Sequence, residues 1–160
     1  MLTQQKLQEA LSYDKESGLF VWLKPTGNRV QRGASAGGID SNGYGQIMIC
    51  GKRYLAHRLA WLHANGTWPD GCIDHINGVK SDNRIINLRD VNRATNMQNI
   101  KRANVNNKTG FLGVHAARNK WLSQIKNQKQ VTHLGVFSTP ELAHQAYLNA
   151  KRIHHAGCTI

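Results

Sequence analysis

The sequence predicts an α+β chain in two modules, a mixed N-terminal region followed by a small module of three strands and one helix. Three observations predict this. Short apolar runs bounded by Gly, Pro and Asn recur from Leu19 onward and read as strands. Apolar residues at helical spacing are confined to a few stretches, of which Ala56 to Asn65 is the clearest. Between the two patterns lies Lys101 to Lys108, rich in Asn, Lys and Arg, with little to bury.

The elements follow in order. Leu2 to Leu11 places Leu2, Leu7 and Leu11 near one helical face. Tyr13 to Gly18 is a turn. Leu19 to Leu23 is a strand, stopped by Pro25 and Gly27. Arg29 to Gly45 is rich in Gly, Ser and Asn and reads as a surface loop. Gln46 to Cys50 and Arg53 to Leu55 flank Gly51-Lys52 and suit a hairpin. In the helix that follows, Leu55, Leu59 and Leu62 share a face and Gly66 is the stop. Trp68 to Gly71 turns the chain into Ile73-Asp74-His75-Ile76-Asn77-Gly78. Asn92 caps a short helix from Arg93 to about Asn99. After Lys108 come strands at Gly113–His115, Lys120–Lys126 and Val131–Phe137, with turns at Asn119-Lys120 and Asn127-Gln128-Lys129. Thr139 caps the last helix, with Pro140 at its first position.

Composition narrows the function. The chain has 160 residues and a net charge of +12, which predicts attraction to polyanions. From Val91 onward there are ten Lys or Arg against the single acid Glu141, so the second module is the stronger electrostatic binder. Cys50, Cys72 and Cys158 are widely separated, which argues against structural zinc. The first residues lack an export signal, and no apolar run nears the ~20 residues of a membrane span. The expectation is a cytoplasmic protein with no membrane association.

Asp74, His75 and Asn96 carry the candidate chemistry. Phosphodiester hydrolysis needs a deprotonated water, an offset for phosphoryl charge and a stabilised leaving oxygen. A hard cation serves the last two, and a His with a pKa near ~6.5 serves the first. Mg²⁺ or Mn²⁺ accepts a few oxygen ligands and keeps several waters. Asp74 and Asn96 supply oxygens, and His75 supplies the base. Neighbours on a strand point to opposite faces, so Asp74 and His75 can take different tasks.

Tyr54 to Ile100 resembles the His-Asn-His (HNH) endonucleases, in their phage and intron homing form. The resemblance rests on His57-Arg58-Leu59-Ala60-Trp61, Asp74-His75-Ile76-Asn77-Gly78, Asn83, Asn87-Leu88-Arg89 and Asn96. It implies a strand pair and a helix around one metal, the ββα-metal core, in residues 1–100. By position it makes Asp74 and Asn96 the metal ligands, His75 the general base, and Asn87 the brace that helps orient the base. The substrate implied is double-stranded DNA, cut to leave a 5′-phosphate and a 3′-hydroxyl by a monomer or transient dimer, with no protein partner. His57 is expected to be structural. Arg58 can reach a phosphate or brace Asp74, and Arg93 is a further candidate DNA contact.

Gly110 to Gly157 resembles the Apetala-type, or ethylene-response-factor (ERF), DNA-binding domain. The residues that carry this are Gly113-Val114, Trp121, Ile125, Leu134 to Phe137 and Thr139 to Tyr147. It implies that residues 110–160 form a three-stranded antiparallel sheet packed on one helix, with the sheet in the major groove. The implied contacts are His115, Arg118, Trp121, Gln124, Lys126 and Thr132. Residues 101–109 are expected as a linker, with Lys101 and Arg102 along the duplex. Together these readings give a metal-dependent endonuclease targeted by its C-terminal domain. The rival reading is a DNA-binding regulator on an inactive nuclease platform.

Overall fold

The computed structural model describes every residue except Thr26, Asn28, Arg29, Val105, Gln128, Lys129 and Ile160. The loop start expected at Arg29 and the turn expected at Gln128-Lys129 therefore lie outside the described residues. The architecture is α+β with small antiparallel sheets. It divides into two units, Met1–Val91 and Asn92–Ile160.

The first unit opens with α1 (Gln4–Ala10), capped by the Thr3 hydroxyl, which accepts the Lys6 N–H. β1 (Leu11–Tyr13) pairs antiparallel with β2 (Phe20–Trp22). A second sheet orders β3 (Gly38–Ile39), β4 (Gly45–Ile49) and β5 (Lys52–Leu55). Cys50 and Gly51 join β4 to β5 with φ of 48° and 74°. Two left-handed residues in a two-residue loop match the right-handed twist of the flanking strands. α2 (Ala56–Asn65) ends at Gly66, whose φ of 82° closes the helix on the Leu62 carbonyl.

Leu7, Leu11, Phe20, Trp22, Ile47, Ile49, Leu59 and Leu62 make one core beneath these elements. β6 (Cys72–His75) and β7 (Leu88–Val91) form an antiparallel pair, joined by a long loop that ends in a 3₁₀ turn at Ile85–Asn87. Ile73 and Leu88 tie this pair to the core. From the N-terminal hairpin, the Tyr13 hydroxyl donates to the Asn83 carbonyl at 2.7 Å.

The second unit begins with α3 (Arg93–Gln98), capped by the Asn92 side chain on the Thr95 N–H. β8 (Val114–Ala117), β9 (Lys120–Asn127) and β10 (Gln130–Phe137) form an antiparallel sheet with β9 in the centre. α4 (Pro140–His154), capped by Thr139, packs on it. Val114, Ser123, Ile125, Ala143 and Ala150 are buried. Gly113 has a φ of 71°, and a Cβ there would lie 1.9 Å from the Tyr147 ring, so only glycine fits.

The division falls earlier than the boundary expected at residue 100, and residues 101–109 lie within the second unit. Hydrogen bonds give the reason. Gly157 N–H donates to Gln98 Oε1, Thr159 Oγ1 to Asn99 Oδ1, and Lys101 Nζ to the Thr159 carbonyl. Buried Lys151 donates to the Ile100 carbonyl. Among the described residues no helix is long and apolar enough to cross a membrane.

Candidate functional site

Asp74 and His75 are consecutive residues at the end of β6, and both are buried at 6 % exposure. Such polar groups persist in an interior only when their partners are in place. Strand register supplies the partner of Asp74. It sits opposite Arg89 on β7, whose Nε and Nη2 donate to Oδ2 at 2.9 and 2.7 Å. Both N–H groups meet one oxygen in short, charge-assisted hydrogen bonds.

His75 is held from the loop. Its Nε2 lies 3.3 Å from Asn83 Oδ1. Burial lowers the His75 pKa, against the opposing pull of Asn83 and Asp74. The imidazole is therefore held toward its neutral form near pH 7, which is the form that accepts a proton.

The loop between the strands is braced by Asn87. Its Oδ1 accepts the Asn77 N–H at 2.9 Å, and its Nδ2 donates to the Asp82 carbonyl at 2.8 Å. The Asn77 side chain in turn donates to Asp82 Oδ2 at 2.7 Å, and Arg84 clasps the same carboxylate. That clasp, with the other hydrogen bonds, lowers the Asp82 pKa to about 2. The loop thus closes on itself through side chains, and the residue that touches His75 is Asn83.

Behind His75 lies an aromatic group. The His57 ring is 5.1 Å from it, edge to face, and Tyr44 is 5.5 Å from His57 and 6.2 Å from His75. Burial, then His75, then Arg58 push the His57 pKa down to about 4. The Arg58 guanidinium donates to the Gly71 and Pro69 carbonyls at 3.3 and 3.4 Å and stands over Trp68. It secures the turn before β6. Arg89, which carried no assignment in the sequence, pairs with Asp74. Its signal is the strand register, which becomes visible only once the two strands are aligned.

A hard cation suits the oxygen chemistry of Asp74. Among the described residues no three His, Cys, Asp or Glu side chains gather into an ion site.

In the second unit, Asn96 lies within α3. Its backbone N–H donates to the Asn92 carbonyl, and its own carbonyl accepts from Asn99. Arg93 and Arg102 are exposed. Arg118, with a φ of 52°, occupies the two-residue loop between β8 and β9. His115 and Gln124 join through Nε2 atoms 3.0 Å apart, and Lys126 is exposed. By strand alternation and register these three share one sheet face with Val131 and His133. Trp121 and Thr132 share the alternation of buried Ser123 and Ile125, the side toward α4.

Residues 54–98 match the family model of the HNH endonucleases. That stretch holds Asp74, His75, Asn83, Asn87, Arg89 and Asn96, and its similarity supports nuclease activity on DNA. HNH nucleases generally use a divalent metal. No curated protein and no solved structure matches the chain.

Proposed function

We propose that this chain is a metal-dependent DNA endonuclease of the homing type, with catalysis seated on β6 and targeting supplied by the second unit. One observation carries the reading. Within the stretch similar to HNH endonucleases, a carboxylate and a neutral imidazole stand side by side, each fixed by a different neighbour. His75 takes the proton of the attacking water. Asp74 is the carboxylate ligand of a Mg²⁺ or Mn²⁺ ion, and the family resemblance adds Asn96 as a second oxygen ligand. When bound, such an ion offsets charge on the phosphoryl oxygens and stabilises the leaving oxygen. Asn83 orients His75, and Asn87 holds the loop that carries Asn83. The products are a 5′-phosphate and a 3′-hydroxyl.

Targeting falls to the ERF-like sheet. The face away from α4 carries His115, Gln124 and Lys126, a polar and cationic set suited to phosphates and base edges, with Ala94, Met97 and Gln98 of α3 at its border. Arg93, Lys101, Arg102 and Arg118 add backbone contacts in this reading.

The test is nicking or linearisation of supercoiled plasmid with Mg²⁺, with Mn²⁺ and with EDTA. Wild type cuts with metal and not with EDTA, and His75→Ala cuts about 10²–10⁴-fold more slowly, the usual contribution of a general base. Plasmid left intact under every metal sinks the enzyme reading. A His75→Ala variant as fast as wild type sinks the mechanism. The alternative is a DNA-binding regulator on an inactive platform. It is favoured by one observation, that Arg89 already neutralises Asp74.

A further inference from the structure

Lys80 stands at the tip of the loop that Asn87 braces, and two contacts hold its side chain. Its Nζ lies 4.8 Å from the centre of the Tyr44 ring and donates to the Asn42 carbonyl at 3.0 Å. An exposed lysine normally sweeps a wide volume, whereas this one is fixed at a defined place. Neither ion pair among the described residues includes it. The carboxylate that bears on it electrostatically, Asp40, is engaged by the Tyr44 and Asn42 N–H groups and the Gln46 amide. An ammonium has three donors, and the Asn42 carbonyl accepts one.

Tyr44 links this cation to the base. Its ring centre is 6.2 Å from that of His75, so Lys80 Nζ is no more than about 11 Å from the imidazole. DNA rises ~3.4 Å per nucleotide along one strand. A phosphate on Lys80 would thus lie within about three nucleotides of one attacked beside His75.

We propose that Tyr44 and Lys80 form a seat for a DNA backbone phosphate flanking the bond to be cut. The ring face and the Asn42 carbonyl hold the ammonium in place before DNA arrives. The remaining donors take the phosphate oxygens. The seat rests on the nuclease reading only for its position beside the scissile bond. Its contact with DNA is independent of cleavage.

The experiment measures equilibrium binding of the full chain to a DNA duplex over a range of salt, with EDTA present so that the DNA stays intact. Lys80→Gln should weaken binding about 3- to 10-fold at low salt. It should also lower the slope of log K against log salt by about 0.9, the value for one phosphate contact. Tyr44→Phe should keep the wild-type slope, and Tyr44→Leu should lose most of what Lys80→Gln loses. A wild-type slope in Lys80→Gln overturns the seat, even if affinity falls at every salt. A wild-type slope in Tyr44→Leu overturns the role of the ring. If wild type fails to cut plasmid but Lys80→Gln flattens the slope, the seat stands and the nuclease reading falls. If wild type cuts and the slope is unchanged, the seat alone falls.

Discussion

Arg89 is what makes a buried Asp74 tolerable. The carboxylate is 7 % exposed and the guanidinium 26 %, so the pair is largely withdrawn from water. Removing the cation leaves a buried charge with its main counter-charge gone, which costs more than the pair itself contributes. Arg89→Met should lower unfolding stability by about 2–3 kcal/mol, a value scaled down for the exposed part of the guanidinium. A chemical-denaturation midpoint checks this, and an unchanged midpoint would show that the pair is not needed. His57 makes a second prediction, with a sign. Its folded pKa is about 4 and its ordinary value is 6.5, so the unfolded chain binds the proton more readily between these values. Stability should therefore fall as pH drops from about 6.5 to 4, by up to about 2–3 kcal/mol from this residue. His63 and His75 shift in the same direction. In His57→Phe the acid loss should shrink by the His57 share, read from urea midpoints at pH 7 and pH 5.

At the scale of elements, the loop between β6 and β7 is the part that side chains build. Asn87 gives it one acceptor and one donor. Asn87→Ala should cost about 1–2 kcal/mol, since two part-buried hydrogen bonds are lost together. Hydrogen exchange at the Asn77 amide should quicken, while the β4–β5 hairpin stays protected. Equal protection in the variant would show that the brace is redundant. Much of this level was legible in the sequence. The helix Ala56–Asn65 followed from Leu55, Leu59 and Leu62 with Gly66, and Asn92 and Thr139 sit at the caps their side chains suggested. β1 and β3 were not legible. In β1 the pattern assigns Leu11 to the first helix and Tyr13 to a turn, because three residues are too few to show alternation, and β3 is only Gly38-Ile39, exposed within a loop-like composition. Asp74 and His75 were visible as neighbours. Their partners Arg89 and Asn83 take their roles only from strand register and loop closure, which local pattern does not encode. The ties of residues 98–101 to the C-terminal turn are long-range for the same reason.

For the whole molecule the governing quantity is charge. Ten Lys or Arg against one acid after Val91 make the second unit the main attraction for a polyanion. Deleting the chain from Asn107 onward should weaken DNA binding and flatten its salt dependence, by about 0.9 in slope for each phosphate contact removed. Equal affinity and slope in the shortened chain would end the targeting role. The same deletion removes Lys151, Gly157 and Thr159, so residues 98–101 lose their anchors as well. The N-terminal hairpin has a consequence of its own. The Tyr13 hydroxyl, its pKa raised to about 12 mainly by burial, remains a proton donor across the working pH range and holds the Asn83 carbonyl. Asn83 in turn holds the His75 imidazole. The family-like segment is therefore not a portable cassette. Transplanted from residue 54 onward into another host, it would carry Asp74 and His75 intact but leave the orienting amide without its distant support. Such a graft should recover activity only when the host provides a phenol in the place of Tyr13.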